Sequence, residues 1–473
     1  MKKLYYLLLT LLFTIFSFNI FGQGWTQIGG DIDGEAEGDM SGSSISLNAD
    51  GTIVAIGTQY NDGNGTDAGH VRIYQNVDGD WVQMGEDIDG EEGDNSGISV
   101  SLSADGSVVI IGSPRNDVNG SDSGKVRIYE NKEGSWINIG EIDGEATGDC
   151  IGFSVDISSD GSIIALGSHE NDSGGPNYGR VRVFKNNEGT WEQFGDDILG
   201  NSYNEQFGRE VRLSSDGYVV AIKSGTISVL RIYKNVDGVW TQIGDDLEQA
   251  HSDIRINNDG SVIAFSDKGW FGKVRVFENK NGSWIQKGED IGGWFTSTGF
   301  GERICLSSSG DLIVIPAIGD NYGTGLVRIY EFIDNAWAQV GDDIKGEAAS
   351  DNFGYSVSIS SDESVLAVSA SRNDGNGTDA GNVRIFKKGT LALDDISASK
   401  IKLYPNPSQG IFTIENAKGC VILISDVSGK LIYKSEITSN PERIVVKSKF
   451  KKGLYFIRLE SETINYTRRL VID

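Results

Sequence analysis

The sequence predicts an all-β protein in which a seven-bladed β-propeller is followed by a small Ig-like β-sandwich. Three series that recur about every 52 residues predict the propeller. The first is a tryptophan, at Trp25, Trp81, Trp136, Trp191, Trp240, Trp284 and Trp337. The second is a Val-Arg-Ile-Tyr type of strand, which starts at Val71, Val126, Val181, Leu230, Val274, Val327 and Val383. The third is an Asp-Gly pair, at Asp50, Asp105, Asp160, Asp216 and Asp259.

Each repeat contains four strand-like stretches, which is the number in one propeller blade. In the second copy they are Ser99–Ser103, Val108–Gly112, Lys125–Glu130 and Trp136–Gly140. The alternation of serine with valine and leucine in the first stretch is typical of a strand with one buried face. The Asp-Gly pair that follows predicts a two-residue hairpin turn.

The two ends of the repeat region, residues 24–389, complement each other. The region opens with a lone tryptophan-type strand, Trp25–Gly29, and its last copy has no such strand after Lys387. The first strand can therefore complete the last blade and remove the open sheet edge that an unclosed ring would expose.

Composition excludes several function classes. The chain has 68 acidic and 41 basic residues, a net charge of −27, and such a field repels nucleic acid and anionic lipid. Three widely spaced cysteines imply no disulfide framework. Three histidines and no Cys-X-X-Cys pair leave little for a zinc site. We therefore expect no nucleic-acid partner and no cofactor.

The N-terminus predicts export. Two lysines precede an uncharged apolar run, and a small residue, Gly22, comes before the polar Gln23. This pattern is typical of a signal peptide, here residues 1–22. A membrane anchor is the alternative, because about 19 apolar residues could just cross a bilayer. With the signal peptide removed, we expect a secreted or outer-surface protein without a stable membrane span.

The composition changes after Gly389. Residues 24–400 carry 27 basic and 61 acidic residues, a net charge of −34, whereas residues 401–473 carry 12 and 7, a net charge of +5. We interpret 390–400 as a linker and 401–473 as a separate domain. Seven strand-like stretches in 73 residues predict a small β-sandwich. They are Lys402–Tyr404, Ile411–Glu415, Val421–Ser425, Leu431–Lys434, Arg443–Val446, Leu454–Leu459 and Thr467–Ile472.

The repeats resemble the FG-GAP repeats of integrin-α-like propellers. The family's Phe-Gly stands at Phe207, Phe300 and Phe353, and Ile111–Pro114 is similar to its Gly-Ala-Pro stretch. One departure matters. The family's Asp-rich calcium loop would fall where this chain has only the Asp-Gly turn, and two residues cannot supply six to eight oxygen ligands. The resemblance therefore implies the fold but not the family's metal site.

Residues 401–473 resemble the type A C-terminal sorting domain of the type IX secretion system. Four motifs carry the resemblance: Leu403–Gly410, Asp426–Lys430, Lys452–Arg458 and Arg468–Leu470. The resemblance implies passage through the type IX machinery and removal by its sorting peptidase, with release or surface anchoring to follow. The alternative is an ordinary adhesive β-domain. The sorting-signal residues it implies are Pro405, Asn406, Pro407, Gly410, Asp426, Gly429, Gly453 and Tyr455.

An Asn-Asp loop recurs between the second and third strands. In the first copy, Asp62, Asn64 and Asp67 offer oxygens at the short spacing that a calcium site requires. The alternative is that these residue types are present to form turns, and repetition of the loop favours that alternative.

Two tryptophans fall outside the repeat pattern, and each is followed by phenylalanine. Trp270 and Phe271 lie in a second-to-third-strand loop, and Trp294 and Phe295 lie in the next connection between repeats. Strand order places both loops on one face of the ring. We predict that these four residues, with Tyr322 as a further member, form an aromatic ligand patch. The alternative is that they fill space in the shortest repeat.

Two function classes stay open. The first is a binding or adhesion module for glycan or protein, and the second is an extracellular polysaccharide- or peptide-degrading enzyme. Uniform repeats without a catalytic constellation favour the first. His70 occupies a slot that other copies fill with Lys125, Arg180 or Asn382, which predicts a variable surface position. Copies four to six depart most from the pattern, yet no residue in them stands out as catalytic.

Overall fold

The computed structural model describes residues 24–267, 272–292 and 299–389. Beyond these it describes 402–404, 408, 410–415, 417–426, 430–439, 441–446, 450–460 and 465–472. The chain divides into two compact units, the first ending at Lys388 and the second beginning at Gly389. The proposed signal peptide and linker lie outside the described residues. Within the described part, no helix is long and apolar enough to cross a membrane.

The first unit is all-β, and the strands among its described residues form seven antiparallel sheets. The sheet that joins the two ends of the unit contains β1 (Trp25–Gln27), β2 (Ile32–Asp33), β32 (Phe353–Ile359), β33 (Val365–Ala370) and β34 (Asn382–Lys388). The next sheets contain β3 to β7 (Ser44–Leu47, Ile53–Thr58, His70–Val77, Asp80–Gln83, Ile88–Asp89) and β8 to β11 (Ser99–Leu102, Val108–Ser113, Lys125–Lys132, Ser135–Asp143).

The remaining four sheets repeat this order. The first two contain β12 to β16 (Ser154–Ile157, Ile163–Ser168, Arg180–Asn187, Thr190–Gln193, Ile198–Leu199) and β17 to β21 (Phe207–Leu213, Val219–Ser224, Val229–Val236, Val239–Gln242, Leu247–Glu248). The last two contain β22 to β26 (Ile254–Ile256, Val262–Asp267, Lys273–Lys280, Ser283–Gln286, Ile291–Gly292) and β27 to β31 (Cys305–Leu306, Leu312–Ala317, Leu326–Ile333, Ala336–Gln339, Ile344–Lys345). One helical turn, Asp320–Gly323, lies between β28 and β29.

Packing between sheets explains the sequence periodicity. The second strand of a sheet, such as Ile53–Thr58, is buried along its whole length because other sheets cover both of its faces. The repeated tryptophans lie on fourth strands, where they contact the preceding sheet. The indole N–H of Trp81, for example, donates to the carbonyl of Ile28 at 3.1 Å. An added Cβ at Gly29 would meet that indole at 2.8 Å, so the glycine leaves room for the ring.

The first strands of the seven sheets contact one another in a closed cycle. In order around the cycle they are β3, β8, β12, β17, β22, β27 and β32, and β32 contacts β3 again. At the outer edge, β1 pairs antiparallel with β34, and Trp25 lies opposite Lys388. This is the pairing that the lone tryptophan-type strand at the N-terminus predicts.

The Asp-Gly connections are longer than the two-residue turn that the sequence suggests. In the first copy, the Gly51 amide donates to the carbonyl of Asn48 at 3.1 Å, and the Ile53 amide donates to the side-chain oxygen of Asn48 at 2.9 Å. The side chain of Asn48 thus caps a wider turn. Asp50 also accepts from the Thr52 amide at 3.0 Å.

The second unit has two antiparallel sheets. One contains β35 (Lys402–Tyr404), β36 (Ile411–Glu415) and β39 (Glu442–Val445), and the other contains β37 (Val421–Asp426), β38 (Leu431–Glu436), β40 (Gly453–Glu460) and β41 (Asn465–Ile472). Each of the seven stretches suggested by the sequence overlaps one of these strands, and most of the strands are longer than the stretches by one or two residues at an end. Alternate residues, such as Ile422 and Ile424 on β37, are buried with Phe412, Ile457 and Leu470 in one core.

Candidate ligand-binding cavity

Most of the predicted aromatic patch falls outside the described residues. Trp270, Phe271, Trp294 and Phe295 all lie in the two undescribed segments of the repeat region. Tyr322 is described, and its side chain is 91% exposed. It belongs to the helical turn after β28, where Asn321 and Tyr322 both have positive φ. The patch as a whole stays a prediction.

The Asn-Asp loops use their polar side chains to hold turns. Oδ1 of Asp62 accepts from the Asp67 amide at 2.8 Å, and the Asn64 side chain donates to the carbonyl of Gly90 at 2.6 Å. Asn61 donates to Asp39 at 3.0 Å, and equivalent asparagines in three other copies make the same bond. These are the turn-forming roles that the alternative interpretation expects.

Four of the proposed sorting residues, Pro405, Asn406, Pro407 and Gly429, lie outside the described residues. The other four hold turns and packing. The carbonyl of Gly410 accepts from the Val446 amide at 2.8 Å. Asp426 accepts from the Lys430 amide at 3.1 Å. Gly453 begins β40 with a φ of 153°, and Tyr455 bonds both backbone groups of Lys451.

A large recess lies where the seven first strands meet. It is a cavity of about 520 Å³, which is within the size range of small-molecule sites. Five cationic and three acidic side chains line it, and the five cations all belong to copies four, five and six of the repeat. They are Arg209, Arg212, Lys223, Arg255 and Arg303, with Asp156, Glu210 and Asp253.

Four of these charged side chains, Glu210, Arg212, Asp253 and Arg255, stand where the repeat pattern has serines. In the second copy the first strand reads Ser99-Val-Ser101, and four copies carry serine at the first of these positions. The fourth copy has Glu210 and Arg212 at the two equivalent positions, and the fifth has Asp253 and Arg255. Residues at alternate positions of a strand share one face, so the replaced pair points into the cavity.

The serines that remain connect neighbouring sheets. The hydroxyl of Ser99 accepts from the Val155 amide at 3.0 Å, and that of Ser154 accepts from the Val211 amide at the same distance. Asp253 performs the same role between β22 and β27, because its Oδ2 accepts from the Ile304 amide at 2.7 Å. Asp253 thus keeps the hydrogen bond between neighbouring sheets and also places a charged group in the cavity.

The deeper charges of the cavity neutralise each other. Arg255 lies 2.6 Å from Asp253 and 3.1 Å from Glu210, and Arg212 lies 2.6 Å from Glu210. Burial raises the pKa of Glu210 to about 7, and the neighbouring Asp253 adds to this shift. Burial is the largest single influence on the pKa of Asp253 and would raise it, but Arg255, a hydrogen bond with Glu210 and the nearby Arg212 together hold that pKa below its usual range. Asp253 is therefore the ionised partner of the pair.

Three other cations of the cavity are not neutralised in this way: Arg209 and Arg303 near the first strands of their sheets, and Lys223 on β18 opposite Glu210. No carboxylate oxygen of a described residue lies within 4.0 Å of a side-chain nitrogen of Arg209, Lys223 or Arg303. A bulge between Phe207 and Glu210 takes Arg209 out of the strand ladder. The guanidinium of Arg209 lies 3.9 Å from the centre of the Phe153 ring, and that of Arg303 lies 5.7 Å from the Tyr355 ring.

A second cavity of about 390 Å³ continues from the first, sharing Arg209, Lys223, Ser252, Arg303 and Tyr355 with it. Its other lining residues come from connections between the second and third strands and between sheets. They are Gly225, His251, Glu302 and Ile318. Strand order places both kinds of connection on one face of the ring, which we call the loop face. The cationic end of the cavity opens on this face.

The prediction that His70 lies at the surface is wrong. Its side chain is 1% exposed, because Glu35 and Asp87 cover it at 3.9 and 3.6 Å from Nδ1. Burial, reinforced by Arg72, lowers the pKa of His70 to about 4. Glu35, His70 and Asp87 form the one group of three possible metal ligands found among the described residues. Arg72 lies 3.5 Å from Glu35, and this permanent cation disfavours a metal ion.

Comparison with known protein families separates the two units. Residues 86–129 and 345–386 match the FG-GAP repeat family. Residues 402–473 match the family described as a secretion system C-terminal sorting domain. That domain directs secretion or outer-surface attachment, and it implies interaction with the type IX machinery.

Individual relatives are distant. A segment of 88 residues is 34% identical to an endo-acting ulvan lyase of Formosa agariphila, and the match covers 18% of this chain and 17% of the lyase. A candidate 6-phosphogluconolactonase of Bacteroides uniformis has a TM-score of 0.48 at 15% identity, covering 65% of this chain and 87% of its own. Hydrazine synthase of Kuenenia stuttgartiensis has a TM-score of 0.47 at 13% identity, covering 72% and 94%.

Both motif sets found in the sequence thus have a family match, and the order of the two units along the chain is the order of the matches. The chain carries FG-GAP repeats and ends in a type IX secretion system C-terminal sorting domain.

Proposed function

We propose that residues 24–389 form a closed seven-bladed propeller that binds an extracellular glycan or protein. In this proposal, residues 401–473 form an Ig-like sandwich that directs export and is then removed. The cyclic contacts of the seven first strands and the β1–β34 pair support the closed ring. The sorting domain supports the extracellular destination.

One observation carries the binding site. In copies four and five, charged side chains stand where the repeat pattern has serines. These side chains line a cavity that opens on the loop face. Loops on a rigid scaffold are where binding residues concentrate. The ulvan lyase acts, by its name, on a glycan, and this favours glycans as the first ligands to test.

The same cavity favours binding over catalysis. A glycan-cleaving enzyme needs a carboxyl group that is free to exchange protons with its substrate. Glu210 and Asp253 are instead engaged by Arg212 and Arg255, which contact Oε1 of Glu210 at 2.6 and 3.1 Å and, in the case of Arg255, Oδ1 of Asp253 at 2.6 Å. We therefore propose a binding module without enzymatic activity.

The test uses the mature protein recovered from culture medium. We expect it to bind at least one polysaccharide or surface protein on an array and to leave polysaccharides and peptides uncleaved in a turnover screen. Product formation that is lost in Glu210→Gln would support the enzyme alternative. A protein that binds no ligand and cleaves none would contradict the proposed function.

A further inference from the structure

We propose that the cavity binds an anionic group, a carboxylate or a sulfate, of an acidic polysaccharide through Arg209, Lys223 and Arg303. This inference rests on the proposed function, because it names the ligand class of the same site. It depends on three features of the cavity: unneutralised cations, their fixed positions, and the neutral hydroxyl groups around them.

The first feature is that the three cations lack acidic partners at close range. Lys223 is only 4% exposed, and a buried charge is costly unless something pairs with it. Burial lowers the pKa of Lys223, and Glu210 and Asp253 only partly oppose the shift. Glu302 lines the second cavity, but it makes no ion pair with a described cation. A ligand anion would supply the missing partner.

The second feature is that Arg209 is held in place although no carboxylate oxygen of a described residue lies within 4.0 Å of its guanidinium nitrogens; Glu170 partly opposes the effect of burial on the Arg209 pKa, and its carboxylate lies 3.5 Å from Nε2 of His169. Its Nη1 donates to Nε2 of His169 at 2.9 Å, and the Phe153 ring lies beneath the guanidinium. Burial, with Arg209 and Lys223 adding to it, lowers the pKa of His169 to about 3. His169 is therefore a neutral acceptor. Arg209 therefore keeps its positive charge, and its remaining N–H groups are held in position to donate hydrogen bonds to an oxyanion.

The third feature is the rest of the lining. Serine side chains, including those of Ser44, Ser101 and Ser356, line the cavity on the side of copies one, two and seven. Hydroxyl groups suit the neutral part of a sugar ring. The acidic surface of the propeller repels densely charged polymers such as nucleic acid. A polysaccharide with spaced anionic groups meets less of that repulsion and can still place one group in the cavity.

The experiment measures binding of the full secreted protein to partly methyl-esterified polygalacturonate, sparsely sulfated dextran and neutral dextran by calorimetry. We expect binding to one or both acidic polymers and none to dextran. The two acidic arms distinguish a carboxylate from a sulfate. Arg209→Ala and Arg303→Ala should each weaken this binding roughly tenfold or more, because a charge-assisted hydrogen bond is lost.

Arg115→Ala is the matched control. Arg115 is an exposed arginine in the loop between β9 and β10 on the same face, and it does not line the cavity. We expect its affinity to stay at the wild-type value, and all three variants to keep the wild-type melting temperature. Equal weakening by Arg115→Ala would mean non-specific attraction and would overturn the proposal. Binding of a neutral glycan or a protein, unaffected by Arg209→Ala and Arg303→Ala, would overturn the anion site but leave the proposed function intact.

Discussion

The hydroxyl of Ser358 accepts a hydrogen bond from the backbone amide of Leu47 at 3.0 Å, across 311 residues of sequence. It is the same bond that serines make between consecutive sheets, such as the one from the Leu102 amide to Ser46 at 3.1 Å. The last sheet thus contacts the first as if it were the next one in order. At the outer edge of the last sheet, β1 pairs with β34, and Trp25 lies opposite Lys388. This pairing is a second contact between the two ends of the repeat region.

Removing residues 24–30 should therefore destabilise the repeat region. The deletion removes β1 and its ladder with β34, together with the contacts of Trp25. Trp25→Ala alone should cost roughly 2 kcal/mol, because the ring is half-buried and full burial is worth about 3–5 kcal/mol. Thermal unfolding measures both effects. An unchanged melting temperature after the deletion would contradict closure through β1.

The buried Glu210 predicts a pH dependence of stability. Its pKa is raised to about 7 in the folded protein, so the folded state holds a proton that the unfolded chain releases near its ordinary pKa. Stability should fall as pH rises from about 4.5 to 7 and level off above that. Urea unfolding at several pH values compares the wild type with Glu210→Gln. We expect the variant to lack this decline, and a decline of equal size in both proteins would rule out Glu210 as its source.

How far the sequence predicts this molecule differs between the repeats and the cavity. The tryptophan and Val-Arg-Ile-Tyr series predict the strands because each residue performs the same packing role in every sheet. The cavity escapes such reasoning because Arg209 and Arg303 belong to different copies and meet only when the ring forms. The replacement of serine by charge in copies four and five was a readable signal. His70 was misplaced because variation at a slot says nothing about which side chains cover it.

Export should remove both ends of the chain. We expect the mature protein to begin after the predicted signal peptide and to end within the predicted linker, 390–400, because the proposed function has the sorting domain removed during export. Intact mass measured on culture medium and on the cell surface checks both ends. A chain lacking 401–473 is the control and should stay inside the cell. Recovery of the intact C-terminal domain on the secreted product would contradict the sorting role.

The aromatic patch predicted from the sequence can be tested against a packing residue. Replacing Trp270 and Trp294 by alanine should abolish ligand binding with little change in melting temperature. Trp240→Ala is the comparison, because the Trp240 indole donates to the carbonyl of Phe194 at 2.8 Å and packs between sheets. Trp240→Ala should lower the melting temperature clearly. If the double variant loses as much stability and keeps its affinity, the two rings belong to the core.

The measurement that tests the central claim most directly is a crystal structure of the secreted protein with an oligogalacturonate or a sulfated oligosaccharide. The account predicts an anionic group of the sugar within hydrogen-bond distance of at least two of Arg209, Lys223 and Arg303. A sugar bound only at the outer edge of the ring, or at the face of the Asp-Gly turns, would contradict it.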